Sequence, residues 1–280
     1  MPYTAEISRT NPSCFLFLID QSGSMQNAFE SAEGKRPKSE ALADAINKLL
    51  QNLAIKCAKS EGIRDYYEVG VIGYGGAGIG PAFGGVLAGK DLVPISVIAN
   101  NPIRVEERKK TIDDGAGGLV TQIVKFPVWF EPKAHGNTPM CEALELASHL
   151  LSKWMVNHQN SFPPIVINIS DGKPSDGSPE AVAHELMGLS TKDGHALLFN
   201  LHISSARQRP LEFPEHEHLL PDEYARMLFN MSSPLPEYMR NMLAQEGINT
   251  FLTSRAFVFN ADLVSVIRFL DIGTRPANFR

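Results

Sequence analysis

The stretch Phe15-Leu16-Phe17-Leu18-Ile19-Asp20-Gln21-Ser22-Gly23-Ser24-Met25 decides how this chain is read. Five consecutive apolar residues bounded by polar ones form a run too short for a helix. A run of this kind is expected as a strand buried on both faces of a sheet covered by helices. It ends in Asp20, and Ser22 and Ser24 follow around Gly23. In α/β sheets, function gathers at the carboxyl ends of strands. One carboxylate and two hydroxyls supply oxygen and neither sulfur nor imidazole, a donor set suited to a hard cation, Mg²⁺ above all. The competing reading is a polar turn after a core strand, with Asp20 or a serine capping a helix.

Two later stretches repeat the pattern of oxygen donors beside a regular element. His135-Gly136-Asn137-Thr138-Pro139 precedes an apolar stripe of Leu144, Ala147, Leu150, Leu151, Trp154 and Met155, which predicts an amphipathic helix. Thr138 before Pro139 reads equally well as an ordinary N-cap. Pro164-Ile165-Val166-Ile167-Asn168-Ile169-Ser170-Asp171-Gly172 predicts a second buried strand ending in an acid, followed by a helix begun at Ser178-Pro179-Glu180. Asp171 taken alone is as good a turn residue as a ligand.

Taken together and in this order, Asp20-x-Ser22-Gly23-Ser24, Gly136-x-Thr138-Pro139 and the strand ending at Asp171-Gly172 resemble the three motifs of von Willebrand factor type A (VWA) domains. The resemblance covers most of the chain and implies a single Rossmann-like domain over 1–280. Its fold would be α/β, with a doubly wound, mostly parallel central sheet flanked by helices on both faces. Segments 75–126 and 207–247 would be insertions. It implies a metal-ion-dependent adhesion site that holds Mg²⁺ or Mn²⁺ at Asp20, Ser22, Ser24, Thr138 and Asp171. The two serines would bind directly, the two acids largely through water, and Thr138 directly in one conformation. Within the family the chain looks most like stand-alone bacterial cytoplasmic proteins, some encoded beside protein kinases, phosphatases or tellurite-resistance proteins. The expected partner is a protein presenting an Asp or Glu carboxylate to the metal, and the expected role is binding without catalysis. Two other classes compete. A Mg²⁺-dependent phosphoryl-transfer enzyme of the haloacid dehalogenase type would carry a second Asp where Ser22 stands. A metal-free scaffold would use the acids only as caps.

The rest of the sequence sets limits. A net charge of −5 and a pI near 5.9 argue against general affinity for nucleic acid or an anionic membrane. No apolar run has the length of a bilayer span, and the first residues lack a secretory pattern, so the expected location is cytoplasmic. Cys14, Cys57 and Cys141 are too far apart for a zinc site and are expected as buried reduced thiols.

Between the motifs, Gln26 to Pro37 reads as a loop, and Lys38 to Leu53 as a helix with Leu42, Ile46, Leu49, Leu50 and Leu53 inward. Glu68 to Tyr74 reads as a strand parallel to the first. The run Tyr74-Gly75-Gly76-Ala77-Gly78-Ile79-Gly80 lacks the lysine and following helix of a phosphate cradle and reads as a hairpin or flexible loop. Arg104 to Lys110 reads as a short solvated helix, and Asp113-Asp114 as a loop without calcium-site spacing. Further on, Ala196 to Ile203 and Ala256 to Phe259 read as strands. Pro221 to Met231, Leu235 to Glu246 and Asp262 to Leu270 read as helices, the last with Leu263, Val266, Ile267 and Leu270 on one face. His216-Glu217-His218 reads as a solvated loop, since alternate residues without a third partner make a poor ligand set.

Overall fold

A computed structural model describes residues 3–31, 34–76, 78–113, 119–203 and 209–273. In chain order the first elements are β1 (Ser13–Gln21), β2 (Ala28–Ser31), β3 (Gly34–Pro37), α1 (Lys38–Lys56), β4 (Ala58–Lys59), β5 (Gly62–Ile63) and β6 (Tyr67–Gly75). There follow β7 (Gly78–Pro81), β8 (Val93–Pro94), α2 (Ile95–Asn100), β9 (Arg104–Asp113), β10 (Leu119–Val128), α3 (Met140–Asn157) and β11 (Ile165–Ser170). The last are α4 (Glu180–Gly188), β12 (Leu197–Ile203), β13 (Leu211–Glu212), α5 (Glu223–Asn230), α6 (Glu237–Gln245), β14 (Phe257–Ala261) and α7 (Leu263–Gly273).

The central sheet has the order β13-β14-β12-β11-β1-β6-β7, with β8 also paired to β6. Strands β14, β12, β11, β1 and β6 are mutually parallel, and β13, β7 and β8 add antiparallel edges. All nine residues of β1 are buried. Alternation of side chains along the strand explains how. Phe15, Phe17 and Ile19 pack with α1, α2, α6 and α7 in one core, while Cys14, Leu16 and Leu18 pack with α3, α4 and α5 in the other. The fold is therefore α/β with helices on both faces. From β1 the chain passes to β6 on one side, and later to β11 on the other. The end of β1 is thus the switch point at which the sheet opens a crevice.

Several expectations need correction. Gln26 to Pro37 is not an irregular loop: β2 and β3 form a hairpin that pairs Ala28 with Pro37. Arg104 to Lys110 is not a helix but half of a two-stranded ribbon, β9 against β10. Arg104, Glu106 and Arg108 alternate along the strand and pair with one another, and Arg108 also reaches α1. Arg108 reaches Asp44 at 2.9 Å and Glu106 at 2.7 Å and lies 3.6 Å from the Phe126 ring centre. Ile267 is turned outward, and Phe269 fills the expected place beside Val266 and Leu270. The loop residues 114–118, including Asp114, lie outside the described residues.

Cys14 and Cys57 are buried free thiols, and Cys141 is a half-buried one. Among the described residues no helix is long and apolar enough to cross a membrane.

Polar groups inside this core are matched to each other. Asn168 and Asn200 face one another in the β11–β12 register, and Asn168 Nδ2 donates to Asn200 Oδ1 at 2.9 Å. Asn168 Oδ1 accepts from the Tyr74 hydroxyl at 2.7 Å. Asn47, buried on α1, ties that helix to the segment leading from the ribbon to α3. Its Oδ1 accepts from the Trp129 and Phe130 N–H groups at 2.8 and 3.1 Å, and its Nδ2 donates to the Phe130 carbonyl at 2.8 Å. Replacing Asn47 by alanine strands three buried backbone groups, so urea denaturation should show a loss of about 3 kcal/mol. A loss below about 1 kcal/mol would mean that water or a shifted backbone satisfies them.

Candidate metal centre at the switch point

The five residues singled out by the sequence come from three loops that meet at the carboxyl edge of β1 and β11. Asp20 is the penultimate residue of β1 and is 1% exposed. Its Oδ1 accepts from the Ser22 N–H at 2.8 Å, which folds the chain into a 3₁₀ turn over Gly23–Gln26. Its Oδ2 accepts from the Ser170 hydroxyl at 2.7 Å. Ser22 Oγ and Ser24 Oγ lie 3.0 Å apart, and Ser24 Oγ donates to Asp171 Oδ1 at 2.5 Å. The first and third motifs are thus joined by a continuous run of side-chain hydrogen bonds.

Thr138 enters by the second loop. Three backbone hydrogen bonds fasten that loop to the others: His135 N–H to the Gln21 carbonyl at 2.8 Å, Gly76 N–H to the His135 carbonyl at 2.7 Å, and Gly23 N–H to the Gly136 carbonyl at 2.9 Å. The backbones of Gly76 and Gly136 touch. A Cβ on Gly136, whose φ is +76°, would sit 2.2 Å from Gly76 Cα. A Cβ on Gly75 would sit 2.6 Å from the Gln21 carbonyl oxygen. Part of the glycine-rich run therefore serves close loop packing, and its β6–β7 turn is the hairpin expected.

The helix-cap reading of Thr138 does not hold. Pro139 takes the N-cap position of α3, and the side chain that accepts a first-turn N–H there is Asp176, from Glu142 at 3.0 Å. Thr138 is instead fixed through its backbone, with its N–H donating to Ser175 Oγ at 3.0 Å and its carbonyl accepting from the Ser175 N–H at 2.9 Å. Its hydroxyl lies on the same side of Gly172 as that of Ser24. Each oxygen is 3.5 Å from the point a Gly172 Cβ would occupy. Ser178 likewise does not cap α4; its hydroxyl donates to Glu180.

Two participants were not foreseen. Ser170 bridges Asp20, the Gly172 N–H and the Tyr224 hydroxyl, at 2.7, 3.2 and 3.3 Å. Lys38, read from the sequence only as the start of a helix whose leucines face inward, is 6% exposed and donates to Asp171 Oδ2 at 2.8 Å. The β2–β3 hairpin explains the placement. It returns the chain so that the Lys38 N–H meets the Asn27 carbonyl at 3.1 Å, next to the serine turn.

Burial raises the Asp20 carboxyl from its usual pKa, against hydrogen bonds from Ser22 and Ser170 that lower it; the charge of Asp171 adds a smaller upward push. Burial also lowers His202, behind the site, to about 4, with the positive charge of Lys38 acting in the same direction.

His216 and His218 stack on one another with ring centres 5.1 Å apart. Among the described residues no group of three or more His, Cys, Asp or Glu side chains is placed to hold a metal ion. The loop beside Asp171 borders an open cleft of about 480 Å³ lined by Lys173, Glu180, Glu217, Glu223 and Tyr224 among others.

No protein-family profile matches the chain, and no curated protein matches it in sequence. Solved structures give low-scoring likenesses. One is a three-domain N-terminal fragment of the type V pilus tip protein Mfa5 from Porphyromonas gingivalis, at 12% identity and a TM-score of 0.31. That match covers 59% of this chain, which spans only 20% of the fragment's length. A second is the vWF domain of the same pilus protein, at 11% identity and a TM-score of 0.36, covering 94% of this chain and 93% of that one. A third is an uncharacterised membrane-spanning protein from Vibrio fischeri, at 13% identity and a TM-score of 0.23, covering 94% of this chain and 100% of that one. Scores this low carry no weight for fold or function, and the architecture rests on the strand order and register described above.

Proposed function

We propose that this chain is a VWA-type protein-interaction module that captures a carboxylate of a partner protein through a divalent cation, Mg²⁺ or Mn²⁺, at Asp20, Ser22, Ser24, Thr138 and Asp171. The observation that carries the reading is the pair of serine hydroxyls 3.0 Å apart, with Ser24 turning its proton toward Asp171. An octahedral ion with bonds of about 2.1 Å places adjacent ligands about 3 Å apart, so two such oxygens fit one edge of its shell. A hydroxyl that donates to a carboxylate keeps its lone pairs for a cation.

The roles divide by chemistry. Ser22, Ser24 and Thr138 offer neutral oxygens for direct bonding, and Asp20 and Asp171 orient them or bound waters. A divalent ion held mainly by neutral ligands stays electrophilic and supplies an attachment point for an outside anionic oxygen. The reaction class is binding rather than turnover, with Ser22 standing where a phosphoryl-transfer site of the dehalogenase kind has its second Asp. A bacterial cytoplasmic setting, with kinase, phosphatase or tellurite-resistance proteins as partners, belongs to the same proposal and rests on the motif resemblance alone.

Two outcomes are expected. Calorimetric titration with Mn²⁺ should give one site in the wild type, and Ser22→Ala/Ser24→Ala should weaken it by about a hundredfold, the order expected on losing two ligands of a hard-ion site. Equal uptake by the double variant would remove the site from these loops. Thr138→Ala should weaken binding of an Asp-containing peptide to the Mn²⁺-loaded protein more than it weakens Mn²⁺ itself, while Thr138→Ser keeps both. Unchanged peptide affinity in the alanine variant would leave Thr138 only its backbone role in the loop.

A further inference from the structure

Lys38 is in an unfavourable place for a lysine. It is the first residue of α1, where the helix dipole disfavours positive charge, and it is 6% exposed. A buried ammonium is stable only when it is paired, and Asp171 at 2.8 Å provides the pair while being itself 1% exposed at its side chain. The other oxygen of Asp171 takes the Ser24 hydroxyl at 2.5 Å. A single carboxylate therefore separates the ammonium from the hydroxyl edge on which the cation reading depends.

The geometry points to Lys38 as a resident cation of this site: it holds Asp171 when no divalent ion is bound, weakens the site for the ion alone, and makes uptake depend on an anion arriving with it. The inference deepens the metal-dependent reading above and rests on it. With both carboxylates ionised, Asp20, Asp171 and Lys38 sum to one negative charge, and a divalent ion turns that into one positive charge. Without the lysine the loaded site would be neutral. A site left positive draws in an anionic oxygen, and repulsion between the ammonium and the ion is relieved when that oxygen binds. Ion and carboxylate then bind cooperatively, each raising the affinity of the other by the same factor. The charge on Lys38 also reaches His202, whose imidazole it helps to keep neutral, after the larger effect of burial.

The test is calorimetry with Mn²⁺, with and without acetate as the carboxylate probe, on wild type, Lys38→Gln, Lys38→Met and Ser22→Ala/Ser24→Ala. Glutamine keeps a hydrogen-bond donor for Asp171 and loses the charge, so it remains informative if methionine destabilises the fold. The expected result is Mn²⁺ binding about tenfold tighter in Lys38→Gln than in wild type, with acetate tightening the wild type severalfold and the variant little. Thermal melting in EDTA should show Lys38→Met below wild type, with a larger gain on adding Mg²⁺. If wild type and Lys38→Gln bind Mn²⁺ equally, with the same response to acetate, while Ser22→Ala/Ser24→Ala does not bind, the lysine inference is overturned and the metal site stands. If the serine double variant binds as the wild type does, both fall together.

Discussion

A strand buried on both faces has no room for charge along its length, so its first ionisable group must wait for its end. In β1 that group is Asp20, and the residues before it, from Cys14 to Ile19, are shared between two cores. The strand can be covered in this way only at the centre of a sheet with helices on each side. Its neighbours β6 and β11 then lie on opposite sides of it, and the loops after them converge on the same edge. The polar end of the most buried strand is thereby the switch point of the fold.

What gathers there is two acids, four hydroxyls and one lysine at a largely buried edge. Ser170 and the Ser22 N–H satisfy Asp20, while Ser24 and Lys38 satisfy Asp171. Such a network is stable as it stands, yet it carries more negative than positive charge. At the start of α3 the first-turn N–H of Glu142 is taken by Asp176 at 3.0 Å, which leaves the Thr138 hydroxyl out of the capping. The close glycine contact between residues 76 and 136 serves the same end, because it lets the Thr138 loop lie against the serine turn.

Much of this was legible in the sequence, and the parts that were not share a cause. Short-range pattern gives β1, β6, β11, β12 and β14 and the stripe of α3, since each is written in consecutive residues, while the grouping of the three motifs came from their resemblance to a known order. Lys38 looked like any lysine on the polar side of an amphipathic helix; its partner lies 133 residues away, and only the fold brings them together. Asn47 has the same history, with partners 82 and 83 residues distant. The ribbon β9–β10 was misread because its mixed charges suit a solvated helix as well as a strand whose charges pair along it and, at Arg108, with α1. The β2–β3 hairpin was missed because a polar stretch bounded by turn residues gives no apolar alternation to read.

The central claim is that Ser22, Ser24 and Thr138 face a single divalent ion. Anomalous diffraction from crystals grown with Mn²⁺ and acetate tests it most directly. The account predicts one strong peak within bonding distance of Ser22 Oγ and Ser24 Oγ, with an acetate oxygen on its open side and Lys38 still near Asp171. A map with no peak there, or with the ion held elsewhere, such as at His216 and His218, would contradict it.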